Sequence, residues 1–174
     1  MFKPLRDLLD HLQHLAEPPD PRSAERALQL AAAVMLVEVM RADASIQPVE
    51  REAVHRALRE QFSLSADEAA SLAELAAQTA SHATDLFEFT SRIDAALDMT
   101  QKIRIVEHMW HVAYADGALS EDERHILWRI ADLLHVPQGA YVNARLRAER
   151  AAGLSPIDDS PAESQPHPRL QPEG

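Results

Sequence analysis

The chain has 174 residues, 46% apolar and 26% charged, with a formal charge of −11 and no cysteine. That length supports one domain with a real core. The acidic balance, without any cluster of Lys and Arg, argues against a nucleic-acid partner, since phosphate binding needs a basic face. The lack of cysteine excludes disulfides, thiolate metal sites and thiol catalysis. Abundant Ala and Leu with few aromatics and four glycines favour helix over strand.

Phe2, Leu5, Leu8, Leu9, Leu12 and Leu15 recur at helical spacing and predict a short amphipathic helix. It gives way to a proline linker, Glu17-Pro18-Pro19-Asp20-Pro21. Docking of this helix on the core is favoured over a membrane surface, because Lys3 and Arg6 are offset by Asp7, Asp10 and Glu17. The start carries no long uncharged apolar segment of the signal-peptide kind, and the apolar stretch Leu28 to Met40 is too short for a bilayer. A cytoplasmic protein is the expectation.

Asp20 followed by Pro21 is a helix start, with Asp as cap and Pro at the first helical position. The helix through 24–41 is apolar nearly all round in its second half, which predicts the centre of a bundle. Further helices are expected from Pro48 to about Gln61, and from the capping box at Ser65-Ala66-Asp67-Glu68 to about Ser81. Others start at Asp85 and Asp98, run from Glu121 to Leu134, and open at Pro137 to about Arg150. No segment alternates with period two between turn signals, so no strand is expected. The prediction is an all-α bundle of seven to eight helices, divided into an amphipathic N-terminal helix and Pro linker over residues 1–19, a helical domain over 20–150, and an acidic, Pro- and Ser-rich tail over 151–174 that is expected to be disordered.

One motif occurs twice. Ala42-Asp43-Ala44-Ser45-Ile46-Gln47-Pro48-Val49-Glu50-Arg51 returns 73 residues later as Ala115-Asp116-Gly117-Ala118-Leu119-Ser120-Glu121-Asp122-Glu123-Arg124. In each copy an Asp ends one helix and a Glu lies seven residues on, in the first turn of the next. This predicts an internal pseudo-twofold duplication with a pair of carboxylates at each corner. Two readings are open. The acids serve as turn and cap residues, with Ile46 and Leu119 plugging the corner into the core. Alternatively they are oxygen ligands of a hard divalent cation, which would relieve an Asp at the negative end of a helix dipole. The seven-residue interval and the short, partly apolar loop are not those of an EF-hand.

The paired corners in an all-helical acidic chain resemble the TerB family, named for tellurite resistance, and the related N-terminal region of DjlA-type co-chaperones. The likeness covers about residues 23–150, and Tyr114 through Glu123 is its most specific stretch. The resemblance implies a helical bundle whose matching acids form a cation cluster at Asp43, Glu50, Asp116 and Glu123, with Ca²⁺ as the leading candidate. It implies a non-catalytic protein of envelope or metal-stress response. Ala44 departs from the Asp-Gly pattern at the first corner, and no J domain is present. An unidentified protein partner is expected.

Other groupings carry less. Glu38 interrupts an apolar helix and needs a partner: either it is an additional cation ligand or, the favoured reading, it pairs with an Arg on a neighbouring helix. His108 and His111, three residues apart, read as surface histidines because no third zinc ligand is specified. Glu52-Ala53-Val54-His55 has a Glu-x-x-His spacing without the second copy that a di-iron bundle needs. Trp110, Trp128 and Tyr114 are spaced as core residues. There is no Gly-rich phosphate loop and no nucleophile elbow.

Overall fold

The computed structural model describes residues 20–83 and 85–154; the helix expected within residues 1–19 and the tail beyond residue 154 lie outside the described residues. These contain seven helices and no strand, in the order α1 Pro21–Ala42, α2 Pro48–Phe62, α3 Ala66–His82, α4 Phe87–Ala96, α5 Met99–Ala113, α6 Glu121–Leu133 and α7 Gln138–Ala151. Helix boundaries fall within one to three residues of those that the cap and proline signals predict.

Helix α1 starts where Asp20 accepts from the Arg22 N–H at 3.3 Å, with Pro21 preset for the first turn. Its second half, from Ala31 to Met40, is buried except for Glu38. Helices α2 to α6 all pack on α1, so the segment that is apolar on every side is surrounded on every side. On α3 the buried positions Ala69, Ala73, Ala76 and Ala80 form one stripe. Alanine stripes of this kind permit close helix packing, and α3 packs on α1. Helix α7 is held apart from this centre and packs on α5. No described helix is long and apolar enough to cross a membrane.

The two corners turn differently. Gly117 takes φ +80°, the left-handed region that glycine enters without a Cβ penalty, and its N–H donates to the Tyr114 carbonyl at 3.0 Å. Ala44 needs no such conformation, because Asp43 leaves α1 in an extended geometry instead. The missing glycine at the first corner is therefore a different turn.

Four side chains depart from expectation. Trp128 is 56% exposed, and Ile46 is 38% exposed, so neither plugs the core; Leu119 does pack against it. Glu38 pairs with Arg41 one turn along its own helix, at 3.4 Å, rather than with a neighbouring helix. His108 is buried, since α5 presents it on the edge of the face that buries Ile105, Met109 and Val112.

Candidate functional site

Glu50 and Glu123 occupy the third position of α2 and α6, where the exposed N–H groups of a helix start attract a carboxylate. Glu50 Oε2 accepts from the Gln47 N–H at 2.6 Å, and Glu123 Oε2 accepts from the Ser120 N–H at 2.8 Å. Ser120 Oγ returns the bond from the Glu123 N–H at 3.1 Å, completing a capping box. Gln47 instead donates its amide to Ser45 Oγ. The aspartates match as well. Asp43 Oδ1 accepts from the Ser45 N–H at 3.4 Å and Asp116 Oδ1 from the Ala118 N–H at 3.0 Å, each closing an Asx turn.

Burial separates the glutamates from the aspartates. Asp116 is exposed and Asp43 half-buried, as solvated corners should be. Glu50 and Glu123 are 0% and 1% exposed, a burial that neither their turn-and-cap pattern nor their spacing announced. Each glutamate spends one oxygen on its own helix start. The other, Oε1 in both, is buried without a hydrogen-bond partner.

The electrostatics show that the two corners meet. Burial raises the Glu50 pKa, the Gln47 N–H opposes the rise, and the charges of Asp116 and Asp43 add to it. Glu50 is also close enough to Glu123 for a proton on one to be donated to the other. Burial likewise raises Glu123, against its bonds to Ser120 and with the charges of Asp116 and Glu50. Residues 73 apart in sequence thus share one acidic locus. Among the described residues, however, no three Asp, Glu or His side chains are gathered tightly enough to form a ready-made metal cage. Carboxylate oxygens are the donor type a hard cation takes, and the charge of Asp116 acts on both glutamates while that of Asp43 acts on Glu50.

Arg124 does not neutralise the buried pair, since its guanidinium reaches Glu121 at 3.8 Å. Behind the second corner lies a network that sequence reasoning missed. Tyr114, the C-cap of α5, donates its hydroxyl to Glu149 Oε1 at 2.7 Å. Arg145 Nε donates to the same oxygen at 2.9 Å and to the Tyr114 hydroxyl at 3.1 Å. The Arg145 guanidinium lies 5.6 Å from the Trp110 ring, which stacks on Tyr114 at a centroid distance of 5.6 Å. The Arg145–Glu149 spacing of four was a visible signal for a helical ion pair. Its third member, on another helix, was not visible.

A cleft of about 640 Å³ borders Asp116 and is lined in part by Arg56, Glu60, His108, His111 and Tyr114. His108 Nε2 is buried there without a partner, and burial lowers the His108 pKa. No serine or threonine nucleophile lines this cleft.

Comparison with known proteins agrees with this architecture. A crystal structure of a protein of unknown function, PG1108 from Porphyromonas gingivalis W83, superposes with a TM-score of 0.52 at 17% identity, covering 71% of this chain and 89% of that one. At that identity the likeness speaks for the fold. No curated protein is significantly similar to the chain. The sequence model for "Tellurite resistance protein TerB" matches residues 29–146, from the middle of α1 to the middle of α7 and across both corners. The chain belongs to the TerB family.

Proposed function

We propose that this protein is a non-catalytic domain that binds a divalent cation at its paired corners. The observation that carries the reading is the pair of buried, unpartnered oxygens, Oε1 of Glu50 and of Glu123. A buried carboxylate oxygen without a donor costs free energy unless a proton or a cation meets it. Asp116, whose charge reaches both glutamates, and Asp43, whose charge reaches Glu50, would complete the ligand set. All four are hard oxygen donors without a histidine among them, which favours Ca²⁺ over Zn²⁺. Ca²⁺ also accepts irregular coordination more readily than Mg²⁺.

The cation would tie the end of α1 and the start of α2 to the end of α5 and the start of α6. The gain is mechanical, a stiffened joint between two parts of the bundle. In keeping with its family, the domain is proposed to act in tellurite or envelope stress, in the cytoplasm, through a protein partner. Calorimetric titration of chelator-stripped protein with Ca²⁺, Mg²⁺, Mn²⁺ and Zn²⁺ tests the site. Saturable binding that disappears in Asp116→Ala and Asp43→Ala supports it, and silence with all four ions removes it.

A second reading has its own support. Every acid of the locus already makes a turn or cap hydrogen bond. On that reading the two glutamates share a proton, the acids only shape the corners, and the exposed faces recruit a partner. The same titration decides between them.

A further inference from the structure

Helices α1 and α3 leave an apolar groove of about 620 Å³ between them. Ala27 and Leu30 of α1, Leu64 before α3, and Leu72 and Leu75 of α3 supply its greasy wall. Leu75 is 49% exposed there, a costly placement for a leucine facing water. The groove begins within two turns of Pro21, the first residue of α1. We propose that it is the docking site for the N-terminal segment of this same chain, residues 2–15.

Three arguments select that occupant. The first is pattern: Phe2, Leu5, Leu8, Leu9, Leu12 and Leu15 give residues 2–15 one continuous apolar face when helical, the kind of face that an open groove buries. The second is reach. Five residues, Ala16 to Asp20, join Leu15 to α1, and a proline-rich stretch spans roughly 3 Å per residue, or about 15 Å. Arg26, on the groove rim, is five residues into α1, only about 7.5 Å along the helix axis. Five residues are therefore long enough for the segment to reach the groove beside the first turns of α1. The third is charge. The rim carries Asp67 and Glu68 on one side and Arg26 on the other. The segment carries Lys3 and Arg6 toward its start and Asp7 and Asp10 after them, so both signs find a complement.

The absence of native cysteine makes the test direct, because two introduced thiols are unique. His11→Cys is combined in the full chain with Ser71→Cys in the groove, and separately with Arg129→Cys on exposed α6. Both pairs are treated with a short bismaleimide. Docking predicts a cross-linked monomer with Ser71→Cys in at least about tenfold excess over the Arg129→Cys control, since a tethered and seated segment has a high effective concentration at its site alone. Adding Leu8→Asp and Leu12→Asp, which keep the tether but spoil the apolar face, should erase that excess. Equal yields at the two positions overturn the proposal. Cross-linked dimers in place of monomers overturn it in favour of a second copy of the chain. Co-sedimentation of the full chain with phosphatidylglycerol vesicles, lost on the same double substitution, overturns it in favour of a lipid surface.

Discussion

Glu50 and Glu123 are brought side by side in the interior, each holding its own helix start with Oε2 and each leaving Oε1 without a donor. Two carboxylates in that arrangement cannot both stay charged cheaply. Burial raises both pKa values, helped at Glu50 by the charges of Asp116 and Asp43 and at Glu123 by those of Asp116 and Glu50, so each carboxyl takes up a proton more readily than a free one and a cation would compete with that proton. Cation binding should accordingly release protons. Titration in two buffers of different ionisation enthalpy measures the number released, which is expected to rise as the pH is lowered.

Glu123→Gln should stabilise the cation-free protein while abolishing its response to the cation. The amide supplies a donor toward the Glu50 oxygen and removes one buried charge. A satisfied polar group in place of an orphan is worth about 1 kcal/mol, or roughly 2–4 °C in a domain of this size. A melting curve without cation should rise by that amount. The same variant with excess Ca²⁺ should show no further rise, whereas the native chain at a hundredfold excess over Kd gains about 2.7 kcal/mol. A variant that loses stability without cation and keeps the shift would show that Glu123 is a cap and nothing more.

The pH dependence follows from the direction of the two shifts. Folded-state pKa values raised above the unfolded 4.5 mean that the native protein binds more protons than the unfolded chain in the window above 4.5. The contribution of these groups is thus fully present below pH 4.5 and is lost as pH rises through the folded values. Cation binding has the opposite slope, because it needs the ionised forms. Chemical denaturation at a series of pH values is expected to show a Ca²⁺ increment that is small near pH 5 and grows toward pH 8.

Much of this was legible in the chain. The caps at Asp20, Ser65, Asp98 and Ser120 are local signals whose hydrogen bonds form within three residues, so the helix starts follow from sequence. The all-apolar half of α1 likewise announced its own burial. Asp43, Glu50, Asp116 and Glu123 were identifiable because the motif repeats. What the sequence did not reveal depends on packing. The side of α6 that meets α1 leaves Trp128 outward, and the packing of α2 on α1, α3 and α5 accompanies the burial of Glu50. Contacts between helices decide such cases, and a single helix cannot report them.

His108 should make the protein sensitive to mild acid. Burial holds its folded pKa below the unfolded 6.5, so the unfolded chain takes up the proton first. Its contribution to stability is present above pH 6.5 and is lost as pH falls through the folded value, opposite in slope to the glutamate pair. His108→Leu, which removes an unpartnered Nε2 from the interior, should flatten the fall between pH 6.5 and pH 5. An unchanged profile in urea melts at those pH values would assign the acid sensitivity to other groups.

Tyr114 couples the second corner to α7, and its removal should be felt at both. The hydroxyl donates to Glu149 and accepts from Arg145, while the ring stacks on Trp110. Burial, with the donation to Glu149, raises the Tyr114 pKa to about 12, so the group remains a donor throughout the physiological range. Tyr114→Phe keeps the stack and deletes the bond; a buried partner left short of a donor costs about 1–3 kcal/mol. Glu149→Ala is harsher, because it strands the Arg145 guanidinium with Tyr114 alone in a half-buried setting, and removing one partner of a buried ion pair costs about 3–5 kcal/mol. The two losses should not add, since both variants break the same hydrogen bond. Urea denaturation of the two single variants and the double measures this, with a coupling of about 1 kcal/mol or more expected. Because Tyr114 precedes Asp116 by two residues, hydrogen exchange at the Gly117 and Ala118 amides should also quicken in Tyr114→Phe. Protection there equal to that of the native chain would mean that the corner is set by its own Asx turn and not by its anchor on α7.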